Sequence, residues 1–230
     1  VRGPLGEALA ATVLLTRTLK FDGALILQIQ GEGPLRTLVA QATHGRTIRG
    51  LARWEGQVPA GTIEAVFGPG RLVLTLEPER GERYQGIVPL FGANLAEALE
   101  TYFRTSEQLG TRLWLAAGPE RAAGLLLQRL PESHGAEEDW TRVVTLADTL
   151  TPEELTGLPT ETLLHRLFHE ENLRLFEGEP VAFRCTCSRG RIEQTLRALG
   201  QEEVEATLAQ EGQVEVSCEF NSPRPPNAMK

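Results

Sequence analysis

Apolar residues along the first 130 positions switch between a spacing near 3.6 and a spacing of two, and the switches mark out the elements of the chain. Leu5, Ala8, Leu9 and Val13 recur at helical spacing, with Leu15 and Leu19 four apart beyond them. Lys20 closes the pattern where a helix dipole favours a cation, so a core helix is predicted over 5–19. Ala24-Leu-Ile-Leu-Gln-Ile-Gln30 reads as a buried strand, Gly31-Glu-Gly-Pro34 as a turn and residues 35–43 as a second strand. A His44-Gly45 turn then leads into a third strand over 46–54. Further strands are predicted at 71–77, 84–89, 111–117 and 122–130, with one helix over 94–109 between them, N-capped by Asn94 with Glu97 three residues on. Strands in antiparallel runs with few helices give an α+β domain ending near Pro131.

Beyond Pro131 the pattern turns amphipathic and acidic. Short helices are predicted over 136–150, after the Thr151-Pro-Glu-Glu cap, and over 160–170. On the last of them Leu163, Leu164, Leu167 and Phe168 share a face, while Glu161, Arg166 and Glu170 lie elsewhere. Such a stripe is ordinarily core; the alternative is a surface that is sometimes uncovered. From Val181 the reading is strand, cysteines, helices over 191–199 and 202–211, and a strand over 213–220. This closing segment of about 45 residues is too small to hold together without a staple or metal. The organisation expected is thus an antiparallel-sheet core with packed helices (1–131), a metastable helical linker (132–180), a small C-terminal zinc-binding domain (181–221) and a disordered, proline-bearing tail (222–230).

Composition adds little to this and excludes some functions. With 230 residues, 41% hydrophobic and 23% charged, the chain has enough apolar material for a sizeable core. No apolar run approaches a membrane span of roughly 18 residues and no signal peptide opens the chain, so a cytoplasmic protein off the membrane is expected. The sole methionine is Met229 and Val1 enters a helical pattern directly, which reads as a fragment missing its start. Residues 1–131 carry 14 Lys and Arg against 12 Asp and Glu, whereas residues 132–230 carry 9 against 19. A net of −10 on the cysteine-bearing portion argues against nucleic acid, whose phosphates require a basic stripe.

The candidate chemistry lies in three cysteines, Cys185 and Cys187 in a C-x-C pair and Cys218 thirty intervening residues later. That spacing suggests two loops meeting around one soft ion such as zinc, or a redox site. An odd number at one end does not resemble the disulfide framework of a small secreted fold. Where C-x-x-C spacing would place a fourth thiolate, the chain has Asn221. Gly31-Glu-Gly-Pro-Leu-Arg36 lacks the third glycine, lysine and following helix of a phosphate loop and is read as a hairpin. His165 and His169 sit i, i+4 on one helix face without the glutamate of H-E-x-x-H; a solvated face is the plain reading, and a source of the missing ligand the sharper one. No G-x-S-x-G is present, and an enzyme is not expected.

Several blocks together resemble one family, the redox-regulated heat-shock chaperones called heat-shock protein 33, or chaperonin 33. They are Gly31-Glu-Gly-Pro-Leu35, Tyr84-Gln-Gly-Ile-Val-Pro-Leu90, Tyr102-Phe103 with Ser106-Glu-Gln108, Gly124-Leu-Leu-Leu-Gln-Arg-Leu-Pro131, and Phe183-Arg-Cys-Thr-Cys-Ser-Arg189 with Cys218-Glu-Phe220. The resemblance implies a client-binding core, a metastable linker and a zinc domain with four thiolates in C-x-C and C-x-x-C pairs. It also implies that oxidant with heat forms disulfides, releases zinc, unfolds the linker and exposes a surface for unfolded or partly unfolded clients, the active form being a homodimer. Cys185, Cys187 and Cys218 match the zinc-binding, redox-active thiolates, and Asn221 stands at the fourth position. Family members normally carry a strand and helix ahead of the segment resembling residues 1–20, and a different tail beyond 221.

Three functions follow for comparison: an ATP-independent, redox-regulated holdase chaperone; a zinc-dependent enzyme with water at an open fourth position; and an interaction module whose zinc is purely structural. A metal ion here is expected on Cys185, Cys187 and Cys218, with water or the Asn221 carbonyl oxygen completing the set more weakly than a thiolate.

Overall fold

The first apolar stripe becomes helix α1 (Arg2–Thr18), which starts earlier than the spacing alone predicts because Pro4 falls in the first turn, where its missing N–H is not needed. This computed structural model of the chain describes residues 1–19, 22–130, 137–185, 188–214 and 220. They fall into two compact units, residues 1–182 and 183–230.

In the first unit the strands are β1 (Gly23–Gly31), β2 (Leu35–Thr43), β3 (Thr47–Trp54), β4 (Gly70–Pro78) and β5 (Tyr84–Pro89). They form an antiparallel sheet in the order β5-β4-β1-β2-β3. At the outer edge of β3 the short pair Ala182–Phe183 (β8) begins, the Ala182 N–H donating to the Arg46 carbonyl at 3.0 Å. A separate antiparallel hairpin joins β6 (Thr111–Ala117) to β7 (Ala122–Gln128). Two-residue alternation places Leu25, Leu27 and Ile29 of β1 and Leu38 and Ala40 of β2 on one face, where they pack with Ala8, Ala11 and Leu15 of α1 in a continuous core.

The glycine-rich turn at 31–34 is a hairpin connection, with β1 and β2 paired antiparallel on either side of it. Gly33 donates to the Phe67 carbonyl at 2.6 Å, and a Cβ there would fall 2.5 Å from the Phe67 carbonyl carbon, so this turn accepts no side chain. Phe67 ends a short helix, α2 (Ile63–Phe67), capped by the Thr62 hydroxyl accepting from the Ala65 N–H. Five residues are too few for a helical period to show in the sequence, and α2 was not foreseen.

The helix predicted over 94–109 is shorter. α3 covers Leu95–Tyr102, capped as expected by Asn94 Oδ1, which accepts from the Glu97 N–H at 3.0 Å. A π-helical turn, Phe103–Glu107, follows and closes on the left-handed Gln108. The Tyr102 hydroxyl donates to Glu107 at 2.7 Å across this widened turn. Burial, and secondarily this bond, raises the Tyr102 hydroxyl above its ordinary range. Among the described residues no helix is long and apolar enough to cross a membrane.

Tyr102 is buried against Gly86 of β5, where an added Cβ would lie 2.6 Å from the ring. Gly86→Ala is therefore expected to destabilise the first unit by about 1–3 kcal/mol through overpacking. Urea unfolding should show a lower midpoint at unchanged slope; an unchanged midpoint would mean that the ring shifts freely.

Candidate linker surface and thiol centre

Three short helices follow the β6–β7 hairpin: α4 (Glu137–Ala147), α5 (Pro152–Gly157) and α6 (Thr160–Phe168). The cap read from Thr151-Pro-Glu-Glu is a full capping box, the Thr151 hydroxyl accepting from the Glu154 N–H and the Glu154 carboxylate from the Thr151 N–H. The stripe on α6 is core: Leu163, Leu167 and Phe168 are buried and Leu164 half-buried.

What they cover is set by the hairpin. Leu113, Leu115 and Leu126 face the main core, while Trp114, Ala116, Ala123, Leu125 and Leu127 face Ala147, Leu155, Leu163, Leu167 and Phe168. Both faces of β6–β7 are thus apolar, and among the described residues the second packs with side chains of α4–α6.

A polar rim surrounds this cluster. Arg112 reaches Glu100 at 3.2 Å and Asp148 at 2.9 Å, and its guanidinium lies 5.4 Å from the Trp114 ring centre. The Trp114 indole N–H donates to the same Asp148 oxygen at 3.2 Å. Arg166 pairs with Glu154 at 2.6 Å, and Arg142 bridges Asp139 at 2.7 Å and Glu171 at 2.8 Å. Hydrogen bonding from Arg142 holds the Glu171 carboxyl below the usual carboxylate range. Burial pushes Glu100 up, against the opposing bonds from the Leu113 N–H and Arg112. Such exposed pairs contribute about 0–1 kcal/mol each, less than the roughly 1.5–3 kcal/mol from burying one leucine, so the apolar cluster decides whether α4–α6 stay docked.

Past α6 the chain runs extended toward β3. Leu173, Leu175 and Phe176 are exposed, Phe176 at 77%, with Arg174 stacked 4.9 Å from its ring centre. Glu179 ties this stretch down between Arg17 of α1 at 2.7 Å and Arg46 at 3.4 Å. Neither these pairs nor Arg112–Asp148 left a signal in the sequence, since their partners are far apart along the chain.

Of the thiol centre, the described residues include Cys185, which is half-buried just beyond β8. Cys187, Cys218 and Asn221 lie outside the described residues, as do most of the strand expected over 213–220 and the tail 222–230. The second unit contributes α7 (Arg189–Leu199) and α8 (Gln201–Glu211), joined at Gly200 and ending in a left-handed Gly212. Leu199 and Leu208 are exposed, and among the described residues every buried apolar side chain lies at or before Phe168. His165 of α6 and His169, the residue that caps its C-terminal end, are exposed, their rings stacked at 5.7 Å. Among the described residues no group of three or more metal-ligating side chains converges.

Comparison with known proteins agrees with this architecture. The family model described as "Hsp33 protein" matches residues 1–224. The 33 kDa chaperonin of Nitrosococcus oceani is 61% identical over 220 residues, covering 96% of this chain and 76% of that protein. The 33 kDa chaperonin of Ectopseudomonas mendocina is 50% identical over 228 residues, covering 96% and 77%. A crystal structure of the 33 kDa chaperonin (heat shock protein 33 homolog) from Thermotoga maritima shares the fold, with a TM-score of 0.83 at 24% identity over 96% of this chain and 80% of that one. On the extent of these matches, the chain belongs to the Hsp33 family of chaperones.

Proposed function

We propose that this chain is an ATP-independent holdase for unfolded or partly unfolded proteins, switched on by oxidation of a zinc thiolate centre. The observation that carries the reading is the two-faced hairpin. Among the described residues its outer face and the inner faces of α4–α6 are apolar and form one cluster. Undocking these helices therefore uncovers contiguous apolar surface of the kind that binds exposed segments of other proteins. Exposed Leu173, Leu175 and Phe176 extend that surface along the chain.

The second unit supplies the trigger. Its helices bury no apolar side chain among the described residues, so a small domain of this kind takes its stability from a bound ion or crosslink. Three thiolates, Cys185, Cys187 and Cys218, suit zinc, with water or the Asn221 amide oxygen in the fourth place. Bound there, zinc would keep the sulfurs deprotonated and would link its own binding to folding of the domain. Peroxide converts two thiols to one disulfide and is itself reduced to two waters; with three sulfurs one remains over. Loss of the folded second unit then removes the anchor at the end of the linker, and α4–α6 open. Activity as a homodimer in the cytoplasm belongs to the same reading.

The deciding experiment measures light scattering of a thermally unfolding client protein with this chain, reduced or treated with peroxide at mild heat. Suppression after oxidation and little before it is the expected result; equal scattering in both states would sink the redox switch, and none in either the holdase. Leu167→Ala should destabilise the α4–α6 cluster by about 2–5 kcal/mol. Hydrogen exchange should quicken over 137–171 and stay unchanged over 24–30, and client binding should rise without oxidant. Asn221→Cys should slow zinc loss to a chelator by adding a thiolate ligand; equal retention would remove Asn221 from the site.

A further inference from the structure

Helix α6 turns Leu163, Leu167 and Phe168 into the apolar cluster and leaves His165 and His169 exposed. The two histidines are four residues apart, and the backbone stays helical through His169 (φ −63°, ψ −20°), so their side chains rise from one face a turn apart. Their rings lie 5.7 Å apart, 27° from parallel. Imidazole–metal bonds of about 2.0–2.1 Å place the centres of two rings on one ion roughly 5 Å apart, so a small rotation of these exposed rings lets both reach it. The Glu170 carboxylate stands 4.0 Å from His169 Nε2, beyond hydrogen-bond reach, and among the described residues neither ring makes a hydrogen bond. The surroundings suit a cation. Glu161, one turn before His165, and Glu171, itself held by Arg142, line the same groove as both rings, while the neighbouring Arg166 is drawn away to Glu154 at 2.6 Å.

We propose that His165 and His169 form a two-imidazole site for a divalent transition-metal ion, which clips the closing turn of α6. Imidazole nitrogen suits zinc, copper and nickel ions, whereas magnesium and calcium take oxygen ligands. Two protein nitrogens leave the remaining positions to water, and the site lacks the glutamate base of a catalytic H-E-x-x-H. The i, i+4 spacing brings the rings together only while the segment is helical, so a bound ion stabilises that turn by mass action. Phe168, buried in the apolar cluster, lies within the clipped turn. No sulfur takes part, so the site stands or falls independently of the thiol centre and of the redox reading.

The test is isothermal titration of Ni²⁺ into the reduced 230-residue chain already given one equivalent of zinc, so that thiolates are engaged first. One nickel site is expected beyond the zinc. His165→Ala and His169→Ala should each weaken it at least about tenfold, and the double substitution should do little more, because a chelate is lost with either arm. His44→Ala, which removes an exposed imidazole elsewhere, should change nothing. Hydrogen exchange over 160–169 should slow with Ni²⁺ in the unaltered chain and in neither single variant. Both side chains are exposed, so their replacement leaves the packing of α6 intact. Absence of a nickel site beyond the zinc, affinity that survives either single substitution, losses from the two that simply add, or exchange over 160–169 that ignores nickel overturns the proposal.

Discussion

The β6–β7 hairpin has two apolar faces, and the arrangement of the first unit depends on covering both. A two-stranded hairpin is barely stable in water by itself. Here one face is closed by α1 and the main core, through Leu113, Leu115 and Leu126, and the other by α4–α6, through Trp114, Ala116 and Leu125. Because the same seven-residue strands serve both sides, a helix leaving the outer face exposes strand already committed to the inner one.

Electrostatics sets the exterior of that arrangement rather than its strength. The portion from 132 onward carries the acidic excess, yet its helices dock through arginines that each hold two acceptors, Arg142 on Asp139 and Glu171, and Arg112 on Glu100 and Asp148. Distributed exposed pairs of this kind fix register and are screened by salt, while the buried leucines and Phe168 supply the free energy. Capping at Thr151 holds the first turn of α5 in helical form.

The second unit presents the opposite case: among its described residues the helices bury no apolar side chain. Gly200 and Gly212 terminate them cleanly, but Leu199 and Leu208 remain in water. For such a unit, chemistry at sulfur can decide between folded and unfolded, a control unavailable to a domain with tens of buried apolar side chains. Membership of the Hsp33 family makes the chain a chaperone, and in its sequence Asn221 stands where C-x-x-C spacing after Cys218 would put a further thiol.

The sequence by itself determined the local elements: the two-residue alternation of β1 and β2, the Asn94 and Thr151 caps, the hairpin at 31–34 and the apolar stripe on α6 all depend on neighbours in the chain, and each took the form its residues dictate. The three cysteines and the quoted blocks likewise made the family legible without coordinates. Tertiary structure alone decided the rest. The helix over 94–109 ends early because Tyr102 packs on Gly86 and bonds Glu107 across a widened turn. Helix α2 is too short for a period, and a hydrophobic stripe does not name what covers it, so the partner of Leu163 and Leu167 was fixed only by the outer face of β6–β7. The Glu179 clamp was invisible for the same reason: a charge records nothing in the sequence about which distant group the fold will bring beside it.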